Sequence, residues 1–431
     1  MTSRCNQQLG GKMTATIATL QGTDRYTIIS ADGHAGADIT AYKEYLEARY
    51  HDDYDRWLAT YKNPWADLQR PERTKNWDSD ERIRDLDADG IVAEILFPNT
   101  IPPFFPSGSL TAIPPTAEEY ELRWAGLKAH NRWMVDFCAQ APGRRAGVAQ
   151  IMLNNVDDAV SEVKWSKQAG LTGGILLPGV PPGATVDLYH APQYEPIWAA
   201  CAEYDVPING HGGTSGPEPP GAGTFPSSGA IFIVEASWFS HRTLWQFIFS
   251  GILDRYPTLK LCLTEQGTGW VPGVLAMLDD FHARFTSDKP NMESYFAGEA
   301  ARQLSLTPTE YFHRNVFMGA SFMRPQECAL RHEIGVGNIM WGADYPHNEA
   351  TTPHSTKALR FTFPGVEPSE VRTMLSEVAA KVYDFDLGFL GDLAADIGPT
   401  VDEVSVPLPE EEIPVGAMSA LWYEKVSRRP F

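Results

Sequence analysis

Residues 29–36 read ISADGHAG, and residues 340–351 read MWGADYPHNEAT. In each stretch an aspartate and a histidine stand close together directly after a short apolar run. Side chains two positions apart on a strand point to the same face, so Asp32 and His34 are expected to share one face. The two stretches lie near opposite ends of the chain, and each pair follows an apparent strand.

The chain contains eight short apolar runs, each followed by a polar or glycine-rich turn, and these runs predict buried strands. They are RYTIISAD, GIVAEILFP, RRAGVAQIML, TGGILLPG, DVPINGHGG, LKLCLTEQG, RNVFMGAS and GNIMWGADYP. Helical patterns lie between them. This alternation predicts a distorted α/β fold, a (β/α)8 TIM-type barrel, in which catalytic groups lie on the loops after the strands. An open, doubly wound sheet is the alternative.

The same pattern divides the chain into three parts. Residues 1–25 are expected to be a flexible segment, 26–386 the barrel, and 387–431 a C-terminal arm. The arm is interpreted as an extended segment packed on the barrel or on a neighbouring subunit, with a disordered tail as the alternative. Long connections at 35–80, 101–116 and 212–230 are candidate walls or lids of a substrate pocket.

Composition narrows the function classes. The 431 residues carry a formal net charge of -20, which disfavours binding to nucleic acid or to an anionic membrane surface. The five cysteines are odd in number and lack C-x-x-C spacing, so neither a disulfide framework nor a thiolate zinc site is indicated. No secretion signal or membrane-length apolar run is present in the sequence. We expect a cytoplasmic protein that acts on a small molecule.

Four residues at strand ends are candidate metal ligands. Asp32 and His34 close the first predicted strand, His211 the fifth and Asp344 the eighth. Carboxylates and imidazoles bind divalent zinc, iron or manganese, and such a site can activate a bound water. Taken singly, each residue also fits a turn-capping or loop role. Their joint position at four strand ends favours metal binding.

The order of motifs resembles the amidohydrolase-related family, in the branch typified by aminocarboxymuconate semialdehyde decarboxylase. The resemblance covers roughly Tyr26 to Phe385 and is carried by ISADGHAG, RIRDLDADGIVAEILFP, HNRWMVDFCAQAPGRRAGVAQIML, YEPIWAACAEYDVPINGHGG, LTEQGTGWVPGVLAMLDDF and MWGADYPHNEATTP. It implies a distorted barrel with a divalent metal at its mouth. Members of this family commonly dimerise, so a homodimer is also expected. By this resemblance Asp32, His34 and His211 are metal ligands, and Asp344 binds metal or moves a proton.

Glu265 departs from the family pattern, because many members have a histidine after the sixth strand. An ionised glutamate can only accept hydrogen bonds, so the role of that histidine does not transfer. Three interpretations of Glu265 remain: a metal ligand, a general base, or an acid paired with an arginine. As a ligand it would make an oxygen-rich site that favours manganese or iron and has room for one or two ions.

Other residues are weaker candidates. His241 and Arg242 are predicted to open the helix before the sixth strand, where they either contact substrate or form an ordinary polar helix start. His347 is a candidate partner that orients Asp344, or a local cap. Four aromatic residues of the long loops either face an apolar substrate or pack the loops themselves: Trp57, Trp77, Phe104 and Phe105.

Hydrolysis is the first expectation for the reaction. A metal-activated water would attack the carbonyl of an amide, ester, thioester or lactone, and Asp344 would carry the proton. The alternative is non-oxidative decarboxylation of an aromatic or unsaturated acid. A binding protein that keeps the barrel without turnover is a third possibility.

Overall fold

The structure is a computed structural model of the chain. It describes residues 24–63, 68, 70–99, 101–107, 113–213 and 227–422. The predicted flexible segment 1–25 therefore lies almost wholly outside the described residues. So do the central parts of two of the predicted long loops.

Eight parallel strands form the centre of the fold, as the sequence pattern predicts. They are β1 (Ile29–Ala35), β2 (Ala93–Pro98), β3 (two segments, Arg145–Gly147 and Ala149–Gln150), β4 (Ile175–Leu176), β5 (Ile208–His211), β6 (Leu261–Thr264), β7 (Val316–Ser321) and β8 (Ile339–Gly342). Neighbours in sequence are neighbours in space, with the first β3 segment on β2 and the second on β4. Most of these strands are buried along their whole length, as expected where both faces are covered.

The first and last strands meet and close the barrel. Gly33 forms a parallel bridge with Tyr345, and the His34 amide donates to the Tyr345 carbonyl at 2.7 Å. The Asp344 amide donates to the Asp32 carbonyl at 2.8 Å. Because these bonds join β1 to the residues after β8, the two stretches from opposite ends of the chain lie side by side. The alternative of an open sheet is thereby wrong.

Helices cover the outside of the barrel and fill the connections. They are α1 (His51–Leu58), α2 (Ser79–Ala88), α3 (Tyr120–Ala139), α4 (Val156–Gln168), α5 (Glu195–Glu203), α6 (Ser228–Phe249), α7 (Ile252–Arg255), α8 (Val271–Phe285), α9 (Met292–Ala301), α10 (Pro308–Asn315), α11 (Pro325–Ala329), α12 (Arg331–Ile334), α13 (Ser355–Thr362), α14 (Pro368–Arg372), α15 (Val378–Tyr383), α16 (Leu387–Ile397) and α17 (Val401–Ser405). A π-helical turn, Thr373–Glu377, joins α14 to α15. None of the helices that the structure describes combines the length and apolar composition needed to cross a bilayer.

Local sequence explains where several helices begin. The Asn155 side chain accepts hydrogen bonds from the Asp157 and Asp158 amides, which caps α4, and the two acidic side chains suit its N-terminal dipole. The helix α6 is different, because it begins at Ser228 and not near His241 as predicted. The intervening run AIFIVEASWF contains β-branched and aromatic residues without a clear helical period, so the sequence pattern did not reveal these turns.

The C-terminal arm begins with the helices α16 and α17, so the expectation of an extended segment is wrong for its first part. Leu390 and Ala394 of α16 pack in the same buried cluster as Ile29 and Met340 of the strands. The Tyr383 hydroxyl of α15 donates to the Asn209 side chain at 2.8 Å. These helices therefore contribute to the barrel core, and their apolar faces explain why they fold against it.

Candidate metal centre and cavity

The barrel brings together the five predicted metal ligands at the ends of four strands. Asp32 and His34 lie in β1, His211 ends β5, Glu265 directly follows β6, and Asp344 follows β8 by two residues. Ligand atoms of Asp32, His34, His211 and Glu265 all lie within 4.8 Å of one another. Asp344 joins two adjoining groups of the same kind, as described below.

Distances within the group suit ligands that surround one point. The His34 Nε2 atom lies 3.2 Å from Asp32 Oδ1 and 3.1 Å from Asp344 Oδ1. The His211 Nε2 atom lies 3.5 Å from Asp32 Oδ1 and 3.3 Å from Glu265 Oε2. Four of the five side chains are buried, while that of Glu265 is 29% exposed. Glu265 is thus the member of the group that opens most toward solvent.

Several buried polar atoms in this group make no hydrogen bond. They are Asp32 Oδ1, His34 Nε2 and both carboxylate oxygens of Asp344. Leaving such atoms unpaired in a buried place costs free energy, so native proteins nearly always give them a partner. A divalent cation bonded to these oxygens and nitrogens would satisfy them. The residues present therefore fit a divalent metal ion.

Unusual backbone conformations place two of the carboxylates. Glu265 and Asp344 have positive φ angles of 54° and 63°. Such angles are uncommon for residues other than glycine, and they occur often at functional sites. Gly212 faces Glu265, and a Cβ atom there would lie only 2.1 Å from the Glu265 carbonyl oxygen. The glycine after His211 is thus required for the close approach of these two loops.

A buried arginine supports the backbone of the first and last strands. Arg82 donates to both carboxylate oxygens of Glu94 at 2.7 Å, and both residues are fully buried. The same guanidinium donates to the carbonyls of His34, at 2.8 Å, and of Tyr345, at 3.3 Å. Arg82 therefore holds together the two chain segments that carry His34 and Asp344. It was not identified from the sequence.

The pKa values of two acids in the group, Asp32 and Asp344, are shifted in opposite directions. Burial raises the pKa of Asp344 well above its ordinary value, and the neighbouring acids Glu265 and Asp32 raise it further against the opposing effect of His347. Burial also acts to raise the pKa of Asp32, but the His211 and His34 imidazoles outweigh it and lower that pKa. Without a metal ion, the pKa of Asp32 is thus shifted down and that of Asp344 up.

Two further residues extend the group. His347 lies with His34 and Asp344 in a second set of possible ligands, and Glu349 lies with Glu265 and Asp344 in a third. The His34 and His347 rings are 4.3 Å apart between centroids. His347 thus lies where the sequence analysis expected a partner of Asp344. Glu349 was not identified from the sequence.

A large cavity of about 640 Å³ opens above the ligands. Its walls are mainly apolar, and the lining also includes the candidate ligands His34, His211 and Glu265. Apolar walls come from residues in the loops after the second, third and fourth strands, including Ile101, Pro102, Phe105, Ile113, Leu127, Ile151, Met152, Leu153 and Leu177. This size is typical of sites that enclose a small organic molecule.

Arg123 and Gln150 also line the cavity, although the sequence analysis did not single them out. Arg123 lies on α3 and Gln150 ends the second segment of β3. Both are at least nine-tenths buried, and the Arg123 Nε and Gln150 Nε2 atoms make no hydrogen bond. Arg123 lies in an amphipathic helical pattern, and the sequence alone does not show whether a single arginine there faces solvent or the cavity.

The predicted substrate-binding residues Trp57, Phe104 and Arg242 lie elsewhere in the described structure, whereas the predicted Phe105 lines the cavity. Trp57 donates from its indole to the Phe105 carbonyl at 2.9 Å and packs against Phe104, so these aromatic rings fill the loops. Arg242 lies in the middle of α6 with its guanidinium 5.6 Å from the Phe239 ring centre. None of Trp57, Phe104 and Arg242 is among the described residues that line the cavity.

His241 contacts the loop that carries Glu265 but is not in the position predicted for a catalytic residue. It lies inside α6, stacks on Trp270 with ring centroids 3.9 Å apart, and has its Nε2 atom 3.2 Å from the Gln266 carbonyl. Burial lowers the pKa of His241 to about 4, so the ring is neutral at pH 7. It is not part of the described cavity lining, and a packing role explains these contacts.

Known proteins with similar sequences are decarboxylases. The chain is 28% identical over 229 residues to a gamma-resorcylate decarboxylase of Rhodococcus jostii (strain RHA1), covering 50% of this chain and 64% of that protein. It is 26% identical over 279 residues to a gamma-resorcylate decarboxylase of Polaromonas sp., covering 62% and 76%. The chain thus spans less than two thirds of the first relative. The expectation of hydrolysis is wrong, because both relatives catalyse decarboxylation.

A solved structure supports the fold. The 5-carboxyvanillate decarboxylase of Novosphingobium aromaticivorans, solved with bound manganese, superposes with a TM-score of 0.62 at 19% identity, covering 84% of this chain and 98% of that one. The distorted barrel predicted from the sequence is therefore confirmed.

The family resemblance is confirmed by a family model. The model described as amidohydrolase matches residues 97–385, which is more than half of the 431 residues. This chain belongs to the amidohydrolase family.

Proposed function

We propose that the protein is a metal-dependent, non-oxidative decarboxylase of a hydroxylated aromatic acid. The observation that carries the proposal is the cavity of about 640 Å³, whose mainly apolar walls end at the metal-ligand group. An aromatic ring suits the apolar walls, and an acidic group on the ring suits the ligands. The two decarboxylase relatives support the same reaction class.

The proposed reaction breaks the bond between the ring carbon and the carboxylate carbon. The electron pair of that bond stays on the ring carbon, carbon dioxide leaves, and a proton then bonds to the ring carbon. A bound divalent ion would hold the anionic oxygens of the substrate and stabilise negative charge that develops on the ring. Asp32, His34, His211 and Glu265 would hold that ion.

Asp344 is the proposed source of the proton. Its carboxylate is fully buried, and it lies within 4.8 Å of ligand atoms of Glu265 and Glu349, which line the cavity. Its raised pKa favours the protonated form of the carboxyl group, as a proton donor requires. The apolar cavity walls would exclude water from the ring carbon, so that the proton comes from the protein.

Glu265 is proposed as a metal ligand, in place of the histidine that the family resemblance led us to expect. Its carboxylate lies 3.3 Å from the His211 ring and belongs both to the first ligand group and to the group with Asp344 and Glu349. A second ion in the latter group would share Glu265. Elemental analysis of protein purified without chelator measures the number and identity of the ions, with manganese as the expected metal.

The experiment that tests the function uses 2,6-dihydroxybenzoate with manganese-loaded protein in D₂O. We expect release of carbon dioxide and a product with one deuterium on the former carboxyl-bearing carbon, detected by NMR. Protein stripped of metal is the control and should be inactive. If neither 2,6-dihydroxybenzoate nor a panel of other hydroxybenzoates is consumed by the metal-loaded protein, the proposed function is wrong.

The oligomeric state and the cellular location stay predictions. A homodimer and a cytoplasmic location were inferred from the sequence. Sedimentation analysis of the purified protein and fractionation of the source cells would test them.

A further inference from the structure

Arg123 is a buried cation in the wall of the cavity. It is 2% exposed and is the only arginine or lysine among the described residues that line the cavity. The other charged or titratable lining residues are His34, His211, Glu265, His347 and Glu349, all of which belong to the ligand groups. Arg123 is therefore the positive group of the lining that metal binding does not explain.

The contacts of Arg123 leave its charge poorly compensated. The guanidinium donates to the Ile113 carbonyl and lies 4.3 Å from the Phe105 ring centre. The nearest acid, Glu119, is 3.8 Å away and has a side chain that is 48% exposed. Burial lowers the pKa of Arg123 to about 10, which still leaves the group charged at pH 7. Buried charges in proteins are normally paired, and the half-exposed Glu119 carboxylate compensates only part of the Arg123 charge.

A second donor borders the same cavity. Gln150 is 8% exposed, and its Nε2 atom makes no hydrogen bond. Its backbone is fixed by Asn131, whose side chain bonds both the Gln150 amide and the Gln150 carbonyl. An arginine and an amide donor in one apolar cavity suit an anionic oxygen, because charge-assisted hydrogen bonds to carboxylates are strong.

We propose that Arg123 binds a second anionic group of the substrate, so that the enzyme prefers an aromatic acid with two acidic substituents. One acidic group faces the metal-ligand group, and the other, a carboxylate or a phenolate, binds Arg123. The aromatic ring of the substrate packs against the apolar cavity walls between the metal-ligand group and Arg123. This inference rests on the proposed function for the identity of the substrate, but the preference for a dianion can be measured without turnover.

The test compares binding of benzoate with binding of the three benzenedicarboxylates, phthalate, isophthalate and terephthalate. Titration calorimetry with manganese-loaded protein gives each dissociation constant. We expect at least one dicarboxylate to bind roughly 10- to 100-fold more tightly than benzoate, as a charge-assisted hydrogen bond provides. In Arg123→Met that preference should disappear while benzoate binding changes by less than about threefold. Arg123→Lys, which keeps the charge, should retain part of the preference.

Lys128→Met is the matched control. Lys128 lies on the same helix, is 3.6 Å from Glu47, and is not among the described lining residues, so its loss removes the same charge away from the cavity. This variant should keep the full preference. Circular dichroism of every variant checks folding, and if Arg123→Met does not fold, Arg123→Lys decides the result.

Three results would overturn the inference. They are a wild-type protein that binds no dicarboxylate more tightly than benzoate, an Arg123→Met variant that weakens both ligand types equally, and a folded Arg123→Lys variant with an unchanged preference. The proposed function fails separately. If the dianion preference depends on Arg123 but no aromatic acid is decarboxylated, the anion site is supported and the proposed reaction is wrong. If an aromatic acid is decarboxylated but no dianion preference is found, the proposed reaction is supported and the anion site is wrong.

Discussion

Replacement of Arg82 with methionine tests how the barrel supports the metal ligands. Arg82 is fully buried and donates to both oxygens of Glu94 at 2.7 Å. Its other bonds reach the carbonyls of Lys75, His34 and Tyr345. Methionine fills a similar volume but supplies no donor. The change therefore removes one charge of a buried pair and two bonds to the segments that carry the ligands.

The expected loss of stability is large. Removal of one partner from a buried ion pair typically costs about 3–5 kcal/mol, because the other charge is left without compensation. Here the Glu94 carboxylate would remain 1% exposed, with Arg145 3.7 Å away as its nearest remaining cation. At a typical unfolding entropy of about 2.1 cal/mol/K per residue, a loss of ~4 kcal/mol lowers Tm by roughly 4–5 °C for a chain of this length.

A paired variant separates stability from positioning. In Arg82→Met/Glu94→Leu the unpaired carboxylate is removed, so part of the free energy of unfolding should return, although the buried Arg145 then loses its acidic neighbour. The bonds to His34 and Tyr345 remain absent, however, and manganese affinity should stay roughly 10- to 100-fold lower in both variants, as for other losses of groups that orient ligands. Calorimetric unfolding and metal titration measure the two quantities. Normal metal affinity in the stable double variant would refute the positioning role.

Three further changes have defined outcomes. Asp344→Asn should keep the fold but reduce turnover of 2,6-dihydroxybenzoate by about 10²- to 10⁴-fold, because the amide cannot deliver the proton; near-normal kcat would exclude that role. Glu265→Gln should lower the manganese content measured by elemental analysis, and an unchanged content would leave only a base or structural role. Burial raises the pKa of Asp89 to about 6, so its protonated form favours the folded state and this contribution declines as pH rises through 6. The stability of Asp89→Asn relative to the unchanged protein should therefore increase by about 1.4 kcal/mol from pH 5 to pH 8, and a constant difference in chemical unfolding would contradict this assignment.

The strands could be predicted because their sequences are unusually uniform. Each strand of a parallel barrel is covered on both faces, so it appears as a continuous apolar run with a turn behind it, as in VFMGAS or IMWG. Once the runs are in order, the barrel fixes which ends are adjacent. Asp32, His34, His211, Glu265 and Asp344 were therefore placed together correctly from the sequence, although their chemical roles stay proposals.

The cavity walls could not be predicted in the same way. Trp57 and Phe104 were chosen because they are aromatic and lie in long loops, yet their rings pack on each other. Arg123 lies on a helix whose buried side faces both the barrel and the cavity, and only the packed structure distinguishes those directions. The prediction of hydrolysis was wrong for a related reason. The same metal ligands suit both hydrolysis and decarboxylation, so they do not distinguish the two reactions.

The contact between β1 and the residues after β8 has a consequence for synthesis of the protein. Asp32 leaves the ribosome early, but its neighbour Asp344 follows only after more than three hundred further residues. A nascent chain that ends before the final strand lacks Asp344 and cannot close the barrel, so the complete site forms only after β8 and the residues that follow it have been translated. A prematurely terminated product would carry His34 and His211 without Asp344 and with an unpaired edge on β1, the kind of edge that promotes aggregation.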